Sequence, residues 1–182
     1  RVKFQLGLFD DPYKYCDESF EETELYSEEN QDLALEAAKK SIVLLKNENE
    51  ILPIKNSVKS IAVIGPLADD KDSPLGNWRA QAEANSAVSV LEGIKTHAAK
   101  NVQINYAEGV KLSTGERSFL KPLSLNNTDK SGFEQAINLA KSSDLVVLVV
   151  GEDAYQTGEG RSQTDIGFLG LQDELMAEIK KV

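Results

Sequence analysis

The pattern of apolar and polar positions alternates between short apolar runs and amphipathic stretches over the larger, C-terminal part of the chain. The apolar runs predict three β-strands, over residues 61–64, 102–106 and 145–150. Helical spacing predicts α-helices over 88–99, 133–142 and 172–181. Strands that alternate with helices imply a parallel sheet with helices on both faces. Since the run 145–150 contains no polar residue, we expect that strand to be buried on both faces.

The N-terminal part of the chain has a different character. Residues 1–26 are aromatic and acidic without helical or strand spacing, so we expect them to pack on another surface. Ser27 with Glu28 and Glu29 is a typical helix start, with a capping hydroxyl and two acids near the positive end of the helix dipole. We expect that helix to run to about Lys46. Three strands make a thin sheet, so the α/β domain is expected to be truncated at its C-terminal end.

Composition excludes several classes of function. The 182 residues carry 20 basic and 30 acidic side chains, for a formal net charge of −10. No stretch concentrates Lys and Arg, which argues against binding to nucleic acid or to an anionic membrane. Cys16 and His97 are single, which excludes an internal disulfide and argues against a Cys-rich or His-based metal site within this chain. The start at Arg1 is unlike a signal peptide, and we expect the chain to be cut from a longer protein.

The loop that follows the third predicted strand is the strongest candidate for chemistry. It carries Glu159 between two glycines, with Arg161 two residues later. Ligands of open α/β sheets bind beyond the carboxyl ends of the strands, and glycine gives a loop freedom to move. Glu159 is therefore the first candidate for a catalytic carboxylate. Glu152, directly after the strand, is the alternative: it could be the acid, or it could accept hydrogen bonds from loop amides.

Other residues allow two interpretations each. Trp78, the single tryptophan, could be an aromatic platform on which a ligand stacks or an indole that fills the core. Arg161 could orient a carboxylate or a hydroxyl of a ligand, or it could be an ordinary surface arginine. Asp69, Asp70 and Asp72 lack the spacing of an EF-hand, and no metal site is expected.

Five stretches of the chain, in order and at regular spacing, together resemble glycoside hydrolase family 3. They are residues 4–13 (FQLGLFDDPY), 41–47 with 52–54 (SIVLLKN and LPI), 61–66 with 76–78 (IAVIGP and GNW), 89–94 (SVLEGI) and 157–162 (TGEGRS). The resemblance covers nearly the whole chain and is to β-glucosidase-like and β-xylosidase-like members. Two departures concern sugar specificity: residues 162–165 read SQTD where relatives often have SRTD, and residues 168–172 (FLGLQ) lack a proline.

The resemblance implies a domain organisation and a fold. Residues 1–50 would be an inter-domain linker with a lead-in helix. Residues 51–182 would be an incomplete three-layer α/β/α sandwich with a mostly parallel sheet. The family's nucleophile is an aspartate of an N-terminal barrel domain, which would be a partner within the same polypeptide and lies outside this chain.

The resemblance also implies an activity. The parent protein would be a retaining exo-β-glycosidase that removes terminal non-reducing glucosyl or xylosyl residues from an oligosaccharide or β-glycoside, without a cofactor. Glu159 matches the position of the general acid/base, and Trp78 and Arg161 are candidates for substrate binding. The fragment alone is expected to be inactive. By analogy with similar enzymes, the compartment is expected to be the periplasm or the exterior of the cell.

The chemistry of such enzymes fits a carboxylate on a mobile loop. Retaining glycosidases use two carboxyl groups about 5–5.5 Å apart, one as the nucleophile and one as the acid and later the base. The acid must hold its proton near neutral pH, which requires burial or a neighbouring anion. We expect Glu159 to gain that environment only when its loop closes over the barrel.

Three other classes of function remain open from the sequence. A non-catalytic carbohydrate-binding domain would use Trp78 and not Glu159. A nucleotide-binding domain would need a phosphate loop after the first strand, where residues 65–70 offer two acids instead. An interaction module would use the aromatic segment 4–26.

Overall fold

The computed structural model describes all residues, 1–182. They form two compact units, Arg1–Pro53 and Ile54–Val182. The alternating strands and helices all belong to the second unit.

The first unit is helical and has no buried residue. Its helices are α1 (Val2–Gln5), α2 (Ser19–Glu24) and α3 (Glu28–Ser41), followed by a 3₁₀ turn over Glu48–Glu50. The predicted start of α3 is confirmed, because the Ser27 hydroxyl accepts a hydrogen bond from the Asn30 backbone N–H at 3.3 Å. The predicted end near Lys46 is wrong. The chain becomes extended at Ile42, where two successive β-branched residues disfavour helix.

The second unit is built on a three-stranded parallel sheet. The strands are β1 (Ser60–Ile64), β2 (Gln103–Ala107) and β3 (Leu145–Leu148). The helices are α4 (Val90–His97), α5 (Phe133–Lys141) and α6 (Gln172–Ile179). The strand order is β2-β1-β3, and Ile61 is paired with both Ile104 and Leu145. The α/β fold with a parallel sheet is therefore confirmed, and most element boundaries lie within two residues of those predicted.

Alternate side chains of β1 enter two separate hydrophobic clusters. Ala62 and Ile64 pack with residues of α5 and α6, whereas Ile61 and Val63 pack with residues of α4. Successive side chains of a strand point to opposite faces of its sheet. The two clusters therefore lie on opposite faces.

The most buried strand is β1 and not β3. The expectation that residues 145–150 are buried on both faces is wrong, since every residue of β3 is only partly buried. The reason is topological: β3 pairs with β1 on one edge and with no strand on the other. Its regular pairing also ends at Leu148, two residues earlier than predicted.

The long segment between β2 and α5 is irregular, but its two ends are joined by hydrogen bonds. An antiparallel bridge joins Ser113 to Leu125. Close by, the buried side chain of Asn126 donates hydrogen bonds to the carbonyls of Lys111 and Asp129, at 3.1 and 2.9 Å. The segment between these points projects as a closed loop towards the carboxyl ends of the strands.

No helix in the structure has the length and apolar character needed to span a membrane.

Candidate functional site

The site lies where the connections after β1 and β3 leave the sheet. In the sheet, β1 lies between β2 and β3. The chain goes from β1 to β2 on one side, and only later reaches β3 on the other side. A crevice forms at such a reversal of strand order, outside the carboxyl ends of the strands. The connection after β3 carries Glu159, and the connection after β1 carries Trp78.

A buried carboxylate organises the start of the Glu159 loop. Asp153 is only 1% exposed. Its Oδ1 accepts hydrogen bonds from the backbone N–H groups of Tyr155 and Gln156, at 2.9 and 3.0 Å. The Asp153 backbone N–H in turn donates to Oε1 of Gln156 at 2.7 Å. These three bonds close a turn three residues before Glu159.

Arg117 forms ion pairs with this carboxylate and with a second one. One nitrogen, Nη2, lies 3.0 Å from Oδ2 of Asp153 and 3.6 Å from Oδ2 of Asp70. Burial opposes the charged form of Asp70, but hydrogen bonds from Ser73 and Asp72, together with the charge of Arg117, outweigh it and lower the pKa of Asp70. Arg117 therefore links the loop after β1 to the loop after β3.

Aromatic and cationic groups stack beside this ion pair. The rings of Phe119 and Tyr155 are nearly parallel, with centroids 4.2 Å apart. The Arg117 guanidinium lies 4.5 Å from the Tyr155 ring centroid, and that of Arg79 lies 5.3 Å from the Phe119 centroid. Arg79 also forms an ion pair with Asp72 at 2.6 Å, and the hydrogen bond to that carboxylate raises the pKa of Arg79.

Glu159 is exposed on a loop whose preceding residues are fixed. The Asn77 side-chain amide donates to the Thr157 carbonyl at 3.2 Å. Gly158 has φ of +100°, and a Cβ atom placed there would lie 1.4 Å from Nδ2 of Asn77. Gly160 has φ of +73° with open space around it. Glycine at 158 is therefore needed for close approach as well as for freedom, and the Glu159 carboxylate itself faces solvent.

The alternative acid, Glu152, occupies a different place. It is exposed at the mouth of a hollow of about 280 Å³, which it lines together with apolar side chains that include Leu67 and Val88. Hydrogen bonds from the loop amides go to its neighbour Asp153 and not to Glu152.

Trp78 is not a core residue. Its exposed fraction is 76%, so the interpretation as a core-filling indole is wrong. The residue before it, Asn77, holds Thr157, which brings the loop of Trp78 next to the loop of Glu159.

Arg161 binds the protein's own backbone. Its Nη2 donates hydrogen bonds to the carbonyls of Ser118 and Lys121, at 2.8 and 2.7 Å. Three donors of the guanidinium are left for another group. A contact between Arg161 and a sugar hydroxyl stays a prediction.

Four residues of the site were not predicted from the sequence: Asp153, Arg117, Phe119 and Tyr155. A local signal existed for Asp153, because an aspartate that follows a strand and precedes polar turn residues often accepts hydrogen bonds from its own backbone two or three residues on. No comparable signal marks Arg117 and Phe119, which come from the irregular segment after β2.

Other parts of the second unit do not gather comparable groups. A hollow of about 550 Å³ lies at the opposite, amino-terminal ends of β1 and β2 and is lined by residues that include Val58, Ile61 and Val102. No three His, Cys, Asp or Glu side chains are placed to hold a metal ion.

Comparison with known proteins identifies the family. A family model described as the glycosyl hydrolase family 3 C-terminal domain matches residues 42–182, which is most of the chain. The chain belongs to glycoside hydrolase family 3.

Relatives within this family cover the chain almost completely. A β-xylosidase of Formosa agariphila is 39% identical over 185 residues, covering 99% of this chain and 24% of that protein. A periplasmic β-glucosidase of Salmonella typhimurium is 35% identical, covering 98% of this chain and 25% of that protein. The chain thus spans about a quarter of the length of these curated relatives.

A solved β-glucosidase structure has the same fold. A β-glucosidase involved in saponin metabolism from intestinal bacteria superposes with a TM-score of 0.84 at 30% sequence identity. The match covers 99% of this chain and 26% of that enzyme.

Proposed function

We propose that this chain supplies the general acid/base of a retaining exo-β-glycosidase, and that Glu159 is that group. The observation that carries the proposal is the place of Glu159: an exposed carboxylate on a glycine-flanked loop, at the carboxyl ends of the strands. The substrate would be a β-glycoside or oligosaccharide with a terminal non-reducing glucosyl or xylosyl residue. The names of the relatives, β-xylosidase and β-glucosidase, support this class of substrate.

The reaction would proceed in two half-reactions. An aspartate of a barrel domain outside this chain attacks the anomeric carbon, while the protonated carboxyl of Glu159 gives its proton to the leaving oxygen. The Glu159 carboxylate then takes a proton from water, which attacks the glycosyl-enzyme and releases the sugar. The exposed loop does not by itself provide the buried surroundings that keep a carboxylic acid protonated, so the barrel would supply them on closure.

Two further residues have proposed roles. Trp78, exposed on the neighbouring loop, would stack against the leaving part of the substrate. Arg161 would use its remaining donors to orient a sugar hydroxyl or a carboxylate. The name of the periplasmic relative supports a periplasmic or secreted parent enzyme.

The test is Glu159→Ala in the longer polypeptide that carries this chain. For aryl glycosides with poor leaving groups, kcat/KM should fall about 10²- to 10⁴-fold, because the departing oxygen no longer receives a proton. For dinitrophenyl glycosides, which leave without protonation, kcat/KM should change little. Added azide, which needs no general base, should raise kcat and yield a β-glycosyl azide.

Glu152→Ala is the matched control, since Glu152 is an exposed glutamate of the same loop. In this variant, the dependence of kcat/KM on the leaving group should be the same as in the parent. Parental activity of Glu159→Ala on poor leaving groups would refute the proposal. If sugar binding by that variant still depended on Trp78, the alternative of a non-catalytic carbohydrate-binding domain would be favoured.

A further inference from the structure

We propose that residues 117–121, the strap, are a positioning element that holds the Glu159 loop on both sides of the carboxylate. The inference rests on the proposed function of Glu159. It assigns Arg117 and Phe119 a role in aiming the acid, and it gives the two hydrogen bonds from Arg161 to the strap the same role, separate from any contact of Arg161 with the substrate.

The first anchor lies before Glu159. Arg117 contacts Oδ2 of the buried Asp153 at 3.0 Å, and the other oxygen of Asp153 holds the backbone turn over Tyr155 and Gln156. No other cation pairs with Asp153. Loss of Arg117 would leave a buried charge without compensation, and the turn would have to open or admit water.

The second contact is aromatic and lies on the same side. Phe119 of the strap stacks on Tyr155 at 4.2 Å, and the guanidinium of Arg117 lies 4.5 Å from the Tyr155 ring centroid. Tyr155 follows Asp153 by two residues and precedes Glu159 by four. The stack therefore restricts the loop between its buried turn and the carboxylate.

The second anchor lies after Glu159. Arg161 donates from one nitrogen to two strap carbonyls, those of Ser118 and Lys121. Its backbone N–H also donates to the carbonyl of Gly158 at 3.1 Å, which closes a tight turn around Glu159. One five-residue segment thus binds the loop at positions 153, 155 and 161.

The strap can act as a support because its own base is fixed. The backbone N–H of Thr114 donates to the Ser124 carbonyl at 2.9 Å, and the bridge of Ser113 to Leu125 lies next to it. Asn126 secures the same point with its side-chain hydrogen bonds. A displacement of the strap tip is therefore expected to displace Glu159, and a misplacement of about 1 Å can cost about 10²-fold in rate.

The test compares Arg117→Met with Glu159→Ala in the longer polypeptide, on aryl glycosides with graded leaving groups. Arg117→Met should lower kcat/KM about 10- to 100-fold for poor leaving groups and much less for dinitrophenyl glycosides. Arg117→Lys, which keeps the charge, should recover part of the loss. Amide hydrogen exchange of Arg117→Met should increase at residues 155–161 and stay unchanged in β1.

Two further variants keep the test decisive. Arg161→Met removes the second anchor without leaving a buried charge, so it carries the test if Arg117→Met fails to fold. It should show the same selective loss on poor leaving groups, whereas loss of a pure sugar contact would weaken all substrates alike. Lys71→Met is the control, because the Lys71 side chain is about as exposed as that of Arg117 and forms an ion pair, with Glu92, outside the loop. It should change neither readout.

Each outcome decides the matter. Two results would overturn the role of the strap, provided that Glu159→Ala still shows its own selective loss. One is an equal loss of kcat/KM for all leaving groups in both arginine variants, and the other is no loss of kcat/KM in either. Absence of selective loss in Glu159→Ala would overturn the proposed function and with it the role of the strap in catalysis. Selective losses in all three variants, with faster exchange at residues 155–161, would support the proposal.

Discussion

Two neighbouring carboxylates after β3 have opposite surroundings. Asp153 is buried, paired with Arg117 and bonded to loop amides, whereas Glu152 is exposed. The sequence analysis considered Glu152 as an acceptor for these amides. The shorter aspartate takes that role because its carboxylate reaches the amides two and three residues on.

At the residue scale, Gly158 is predicted to accept a side chain only at a cost in stability. In Gly158→Ala, the new Cβ would displace the Asn77 amide from the Thr157 carbonyl, and alanine would have to adopt φ of +100°. We expect a loss of roughly 1–3 kcal/mol in the free energy of unfolding. Urea unfolding of the variant and the parent measures it.

Gly160→Ala is the matched control, since it also has positive φ but open space around it. Gly160→Ala should lower the free energy of unfolding by about 1 kcal/mol, which is the cost of placing alanine at positive φ. In the double variant Asn77→Ala with Gly158→Ala, the loss in free energy of unfolding should be smaller than the sum of the losses in the two single variants. Equal effects at 158 and 160 would mean that contact with Asn77 does not matter.

At the element scale, the amino-terminal ends of β1 and β3 are joined by one aspartate. Oδ2 of Asp144 accepts hydrogen bonds from the backbone N–H groups of Lys59 and Ser60, at 2.8 and 2.9 Å. The Asp144 backbone N–H donates to the Ser60 hydroxyl at 2.9 Å. These bonds set the register of β3, which has a strand partner on one edge only.

The same contact predicts a dependence of stability on pH. The backbone hydrogen bonds from Lys59, then Ser60, lower the pKa of Asp144 in the folded state. A carboxyl with a lowered folded pKa stabilises the fold above its unfolded pKa, about 3.9, and loses that contribution as the pH falls through the folded value. The parent should thus be more stable than Asp144→Asn at pH 7; the difference should begin to narrow near pH 4 and disappear only once the pH is below the lowered pKa of Asp144 in the folded state.

Denaturant midpoints measured from pH 7 down to pH 2 test this expectation. Asp32→Asn, at an exposed position of α3, is the control and should follow the parent at every pH. A gap between Asp144→Asn and the parent that does not narrow in acid would contradict a lowered pKa of Asp144 in the folded state.

At the scale of the whole molecule, the first unit exposes an unusual amount of apolar surface. Side chains such as Phe4, Phe9, Tyr13 and Leu45 are mostly exposed, the last at 91%. Large exposed apolar patches often mark surfaces that contact another protein surface. The chain also spans only about a quarter of the length of these curated relatives.

The chain of residues 1–182 alone is predicted to be catalytically silent. It would hold the acid/base but not the nucleophile, and no covalent glycosyl intermediate could form. Release of nitrophenol from a nitrophenyl β-glucoside by the purified chain should stay at the background rate, whereas the longer polypeptide should turn the substrate over. Turnover by the chain alone at enzyme-like rates would refute this division of labour between the two domains.

The sequence by itself determined the order and type of the elements of the second unit, the cap of α3 and the position of the candidate acid. These features depend on residues a few positions apart, and local spacing records them. Only the tertiary structure decided that β3 is an edge strand, that Trp78 is exposed and that Arg161 binds the strap. Those outcomes depend on groups about 35 to 90 positions apart along the chain, such as Arg117 with Asp153 and Ile61 with Leu145, and no local pattern specifies which distant groups meet.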